Sequence, residues 1–139
     1  MAKRCYLAVD LGAESGRVVA GLLDGDRLQL DEIHRFANGP VRAGDTLYWD
    51  VLGIWREVQR GLGMAGERFG REITSIGVDA WGVDFALLTA DDKIAGNPVH
   101  YRDSRTDGML AEALRSVSRE EIFATTGVQF MQINTLYQL

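Results

Sequence analysis

Residues 5–23 read CYLAVDLGAESGRVVAGLL. The run from Cys5 to Val9 is apolar and loosely alternating, which predicts a strand, and the strand ends on Asp10. An ionised carboxylate placed where a strand leaves a core loses hydration, so folding alone favours an apolar or amide residue there. Asp10 is therefore a candidate for chemistry. Gly12 and Ala13 turn the chain, and Ser15, Gly16 and Arg17 lead it into a second apolar run. Glycine lets a backbone approach a ligand closely, and the N–H groups of such a turn can converge on an anion. In that setting Asp10 would position Mg²⁺ through water, because the ion sheds its hydration reluctantly, and Arg17 would neutralise charge on a phosphoryl group. The plain alternative is a hairpin with a surface Asp–Arg pair that contributes little to stability.

Working outward, residues 4–10, Arg17–Leu23 and Leu28–Phe36 predict three consecutive antiparallel strands, with Asp24-Gly25 as the second turn. Val51, Trp55, Val58, Leu62 and Ala65 fall at alternating spacings of four and three, one face of an amphipathic helix for which Asp50 is the expected cap. Ile73–Val78 reads as a strand, and Phe85–Leu88 with Lys93–Tyr101 around TADD reads as a second hairpin. Leu110, Ala113, Leu114 and Val117 mark a further helix face. Ser118 with Glu121 forms a capping-box pattern for a short last helix that stops at Gly127.

The 139 residues are about one domain's worth, and 46% apolar with 25% charged residues is ordinary globular composition. A formal charge of −5 without a dense run of Lys or Arg argues against nucleic acid and anionic lipid as partners. The single cysteine, Cys5, lies in an apolar strand, which excludes an internal disulfide and suggests a buried, inert thiol in a reducing compartment. MAKRC is basic, but Asp10 and Gly12 interrupt the adjoining apolar run before a signal core forms. No stretch reaches the roughly 18 apolar residues of a membrane span, so a cytoplasmic protein is expected. The chain closes on QINTLYQL without a tail-like composition, which suggests part of something longer.

Three further stretches carry chemistry-bearing residues. GLGMAG, at Gly61, Gly63 and Gly66, satisfies the spacing G-x-G-x-x-G, but it falls at the end of the expected helix, whereas dinucleotide binding needs it between a strand and a helix start. GVDAWGVD places Asp79 and Asp84 around Trp81 and Gly82 at a strand end, the ingredients of a sugar site: an apolar ring, close backbone approach and acceptors for hydroxyls. A strand bend with Trp81 in the core explains it as well. HYRDSRT brings His100, Tyr101, Arg102, Asp103 and Arg105 to a strand-to-helix junction, where they line the same cleft or cap a helix.

Taken together, AVDLGAESGRV, HRFANGPV, LYWDV, SIGVDAWGVDFALL, GNPVHYRDSRTDGM and TGVQF with NTLYQL resemble the FGGY carbohydrate kinases. The first motif is shared across actin-like ATPases, while DAWGVDF, NPVHYRDSRTDGM and NTLYQL resemble the rhamnulokinase branch, which phosphorylates L-rhamnulose at its 1-hydroxyl with ATP. The resemblance implies an α/β, RNase H-like (actin-like ATPase) fold: a mixed sheet with an N-terminal antiparallel β-hairpin unit. Residues 1–139 would be the front of the first domain of a two-domain kinase. It implies that Ala13, Glu14, Ser15, Gly16 and Arg17 contact ATP, that Asp10 is the magnesium-associated aspartate and that Gly82 touches the sugar, with Asp84, Arg102 and Asp103 as further cleft candidates. Glu14 stands where many relatives have a small residue, and Ala80 where a hydroxyl is common. The catalytic aspartate and the adenine site would lie beyond Leu139, in the missing C-terminal half of the same protein, so this chain alone is expected to be inactive. A xylulose or fuculose kinase is the nearest alternative. A nucleotide-binding module of an actin- or chaperone-like protein is a more distant one and leaves DAWGVDF and HYRDSRT unexplained.

Overall fold

A computed structural model describes residues 4–139, which divide into two compact units, one of residues 4–39 with 50–81 and one of residues 40–49 with 82–139.

The first unit is a four-stranded sheet with one helix on it. Strands β1 (Arg4–Leu11), β2 (Ser15–Asp24) and β3 (Arg27–Ala37) form an antiparallel meander. Helix α1 (Val51–Phe69) then leads to β6 (Ile73–Ala80), which pairs parallel to β1, giving the order β3-β2-β1-β6. The mixed sheet and hairpin unit expected from the sequence are present. Strand alternation puts Cys5, Leu7 and Val9 of β1 and Val18, Ala20 and Leu22 of β2 on the α1 side, where all six are buried. Burying each of the larger of these side chains contributes about 1.5–3 kcal/mol, which fixes the register, because a one-residue slip would turn them all to water. The Cys5 thiol is pushed up in pKa by burial and secondarily by Glu72, so it stays protonated and inert.

Asp50 caps α1 by accepting from the Gly53 N–H at 2.9 Å. The helix buries Val58, Gly61 and Ala65, with Ile54 and Leu62 packed beside them. Helical spacing alone puts Trp55 on this face, but its side chain is 54% exposed and Ile54 packs against the core instead. Gly61 explains part of the glycine motif: a Cβ there would come within 2.5 Å of Val18 Cγ2, so glycine lets the helix sit close on the sheet. The motif lies inside α1, not at a helix start, and the helix continues past it to a cap at Gly70 with φ +49°. Ile76 and Val78 of β6 pair with Leu7 and Val9 but are 53% and 70% exposed, beyond the cover of α1.

The second unit is organised around a hairpin that the sequence pattern does not announce. Strands β4 (Pro40–Ala43) and β5 (Thr46–Trp49) are joined through Gly44 at φ +61°. The expected hairpin of Phe85–Leu88 with Lys93–Tyr101 shrinks to a single bridge, Leu88 to Ile94, around a turn held by the Thr89 N–H on Lys93 O. The reason is competition: Tyr48 bridges Val99, and β5 takes the 98–100 segment through Trp49 N–H to Pro98 O and His100 N–H to Leu47 O, both 2.9 Å. Helices α2 (Met109–Ser116) and α3 (Arg119–Thr126) follow. Val117, expected on the α2 face, is already extended. Ser118 caps α3 by accepting from the Glu121 N–H, Glu120 and Glu121 sit in its first turn where the helix dipole favours acid, and Gly127 ends it at φ +63°.

Candidate functional site

In the first unit the segment from Asp10 to Arg17 is the β1–β2 turn. Asp10 and Arg17 are directly paired across the hairpin, and the guanidinium donates through Nε and Nη2 to one carboxylate oxygen at 2.6 Å. Their side chains are 38% and 43% exposed, so the pair stabilises the fold by no more than about 1 kcal/mol and remains open to a ligand. Both belong to the set of strand positions that points away from α1. The turn is closed by Gly12 N–H to Ser15 O at 3.0 Å, and a Cβ on Gly12 would stand 3.1 Å from that same oxygen. Gly16 has a different reason: a Cβ would lie 2.2 Å from Phe36 Cζ, so the absent side chain makes room for a core ring.

A residue with no chemical signature in the sequence fixes the turn from behind. Asn38, 8% exposed at the end of β3, donates from Nδ2 to Gly12 O at 2.7 Å and from its backbone to Glu14 O at 2.9 Å. With both carbonyls held, Ala13, Glu14 and Ser15 are fixed at the tip. The only sequence signal is N-G after a strand, which reads as ordinary turn chemistry. Beside the turn, Arg35 pairs with Arg17 in register, donates to Glu32 in a two-pronged pair and reaches Ser15 Oγ at 3.4 Å. The Arg35 hydrogen bond holds the Glu32 carboxyl below its usual range. On the other flank Asp79 is the parallel Cα partner of Asp10, which sets two acids side by side at the ends of β1 and β6. Among the described residues no three His, Cys, Asp or Glu side chains gather as a metal cage. Trp81, at the end of β6, is half-buried and outside the core clusters.

The second unit holds the remaining candidates. Trp49, His100 and Tyr101 stack in sequence, with ring centroids 4.0 Å apart for the first two and 4.5 Å for the second two. Asp84 accepts from the buried Trp49 indole N–H at 2.5 Å. His100 is 1% exposed; its Nδ1 accepts from Arg102 N–H at 3.0 Å, which puts the ring proton on Nε2, and Nε2 is buried without a hydrogen-bond partner. Burial, countered by the charge of Asp84, lowers its pKa, so the ring is neutral. Asp103 spends both oxygens on backbone, accepting from Leu47 N–H at 2.7 Å and Arg105 N–H at 3.0 Å. The Leu47 bond is the main reason its carboxyl is held low. Of the two roles open to Asp103, the geometry gives it the cap, tying β5 to the turn that precedes α2. Arg102 lies over the Tyr101 ring at 5.2 Å. Arg105 clamps the chain end, donating to Gln138 O at 2.7 Å and Gln138 Oε1 at 2.8 Å. Gly82 lines a cavity of about 190 Å³ together with residues of α3 and of the turn Thr135–Tyr137.

No protein-family model matches the chain. It is 44% identical over 137 residues to a rhamnulokinase of Oceanobacillus iheyensis, covering 99% of this chain and 29% of that protein. A rhamnulokinase of Bacteroides thetaiotaomicron is 42% identical over 137 residues, covering 99% of this chain and 28% of the relative. The chain thus spans less than a third of the length of the curated relatives it matches. Among solved structures, the gluconate kinase of Lactobacillus acidophilus superposes with a TM-score of 0.80 at 14% identity, over 99% of this chain and 27% of that one. At that identity the likeness speaks for the fold, which is part of the RNase H-like, actin-like ATPase architecture expected from the sequence.

Proposed function

We propose that this chain, which resembles rhamnulokinases of the FGGY carbohydrate kinase family along nearly its whole length, is the front of the first domain of an ATP-dependent ketose kinase. The reaction is transfer of the γ-phosphoryl group to the 1-hydroxyl of L-rhamnulose. The observation that carries the reading is the 44% identity over 137 residues, far above what a shared fold alone requires. The geometry supports it at both ends of the segment. Asp10 and Arg17 are partly exposed at a strand end, Glu14 is exposed at the tip of the turn, and Asn38 braces the turn from behind, as a phosphate-holding turn needs. Gly82 lines a small cavity in the second unit, as a sugar-touching backbone position needs to.

The roles divide by chemistry. Backbone groups of Ala13, Glu14, Ser15 and Gly16 bind the ATP phosphates, and Arg17 leaves Asp10 to neutralise charge as the phosphoryl group moves. Asp10, whose parallel strand partner is Asp79, is the residue that would hold Mg²⁺ through water. Held there, the ion would supply charge neutralisation for the phosphates. In the second unit, Asp84 and Arg102 orient the sugar, and Asp103 acts through the backbone it caps. As the bond between γ-phosphorus and the sugar oxygen forms and the bridge to the β-phosphate breaks, the hydroxyl proton passes to a base. We assign that base to residues outside 1–139, so the 139-residue chain alone turns over no sugar. The protein works in the cytoplasm on a small-molecule substrate; no described helix is long and apolar enough to cross a membrane.

The test is ADP release by the full-length protein carrying this segment, with a panel of ketoses. Preference for L-rhamnulose is expected. Preference for xylulose or fuculose would reassign the substrate, and ATP binding without response to any ketose would replace the kinase reading with a nucleotide-binding module.

A further inference from the structure

The cavity beside Gly82 has a composition that bears on which sugar the site takes. It lies wholly within the second unit, and its volume of about 190 Å³ is below the roughly 300 Å³ at which pockets begin to enclose a whole drug-sized ligand. It fits one end of a small molecule. Several of its lining residues are nominally polar, yet their hydrogen-bonding groups are turned into the wall. Thr135 Oγ1 donates to Val83 O at 2.7 Å, and Gln138 Nε2 donates to the same carbonyl at 2.9 Å from behind it. Thr126 Oγ1 donates to Ile122 O at 2.8 Å and accepts from Val128 N–H at 3.2 Å. Asn134 Nδ2 donates to Gln129 O at 2.5 Å. With these donors committed to backbone, the aliphatic groups of Val83, Ile122, Val128 and Leu136 make up most of the wall, beside Gln129 and Tyr137. A hydroxyl entering it would lose its water and find few partners, whereas a methyl would only gain.

We infer that this cavity is the specificity pocket for the deoxy end of the sugar: it seats the C6 methyl group of a 6-deoxyketose whose other end carries the 1-hydroxyl to be phosphorylated. The inference rests on the kinase reading above and adds which residues select the substrate. Val128 and Leu136 are the selecting side chains best suited to substitution. They are 47% and 51% exposed, so changing them does not open a hole in a core.

The test compares L-rhamnulose with L-fructose, which differs from it by a single hydroxyl on C6, as substrates of the full-length protein. An apolar pocket rejects an added hydroxyl by up to about 100-fold, so kcat/KM for L-fructose is expected to be about 10- to 100-fold lower in the unaltered enzyme. Val128→Thr and Leu136→Thr each supply a hydroxyl at the wall and should move the ratio of the two kcat/KM values at least about threefold toward L-fructose, through KM for the sugars, with KM for ATP unchanged. Taking the ratio within one preparation cancels any loss of folded protein. Equal use of both sugars by the unaltered enzyme, or an unmoved ratio in both variants, overturns the inference while leaving the kinase reading intact. Failure to phosphorylate any ketose removes both.

Discussion

Gly16→Ala is a perturbation whose outcome the structure sets against the usual expectation. Replacing a strand glycine with alanine normally stabilises by about 0.4–1 kcal/mol, because the unfolded chain loses freedom. Here the new Cβ would stand 2.2, 2.5 and 2.9 Å from three carbons of the Phe36 ring. That ring is not a loose end: Phe36 is 8% exposed and packed in one cluster with Val9, Val18 and Val58. Forcing it aside costs about 1–3 kcal/mol, which exceeds the entropic gain and leaves a net loss of about 1–2 kcal/mol. In urea the unfolding midpoint should fall by on the order of 0.5–1 M with the slope unchanged. Gly21→Ala on the same strand is the control. Its nearest contact would be Leu28 Cδ1 at 3.4 Å, an ordinary distance, so it should be neutral or slightly stabilising. Phe36→Leu combined with Gly16→Ala should recover part of the loss, giving a non-additive pair. A Gly16→Ala chain as stable as the original, or strict additivity with Phe36→Leu, would refute the packing argument.

Asn38→Ala removes the donor to Gly12 O, leaves that carbonyl short of a partner and should cost about 1–2 kcal/mol in urea unfolding while raising KM for ATP in the full-length protein. Trp49→Phe keeps the ring against His100 but deletes the indole N–H that Asp84 accepts; a loss of about 1.5–3 kcal/mol is expected, and a change under about 0.5 kcal/mol would contradict it. His100 titrates with a folded pKa below its ordinary value of about 6.5, chiefly from burial, with Asp84 and Asp103 opposing and Arg102 adding to the shift. As pH falls below about 6.5 the unfolded chain takes up the proton first, so stability should decline from there until the folded pKa is passed, and His100→Asn should flatten that part of the profile.

The elements legible in the sequence were those fixed by local rules. β1, β2, β3 and β6 carry alternating or continuous apolar runs, and α1 and α3 carry caps at Asp50 and Ser118 whose bonds the structure contains. What escaped was set by distant partners. β4 and β5 are four residues each, too short for a periodic signal, although Gly44-Asp45 between them is a turn pair. The 98–100 segment has strand character, and nothing nearby says that it pairs with Leu47–Trp49 instead of folding back on Phe85–Leu88. Helical spacing found the face of α1 but not its rotation, hence Ile54 inward and Trp55 outward. At the candidate site Asp10 and Arg17 stand out in the sequence as charges at strand ends, and the structure pairs them across the hairpin. Asn38 was hidden because its work is done on carbonyls 24 and 26 positions away. Asp103 looked chemical and is bound to backbone, a distinction that only the Leu47 and Arg105 bonds reveal.

On the kinase reading, the Asp10–Arg17 turn holds the phosphates of ATP. Because that pair is exposed and adds little to stability, Arg17→Ala separates function from folding. The decisive measurement is steady-state kinetics of Arg17→Ala in the full-length protein, with ATP and ketose varied in turn. Expected are an unfolding midpoint close to the unaltered protein's, a fall in kcat/KM for ATP of at least about 100-fold, and a KM for the ketose changed by less than about threefold. An unaltered ATP dependence, or a loss confined to the ketose, would contradict it.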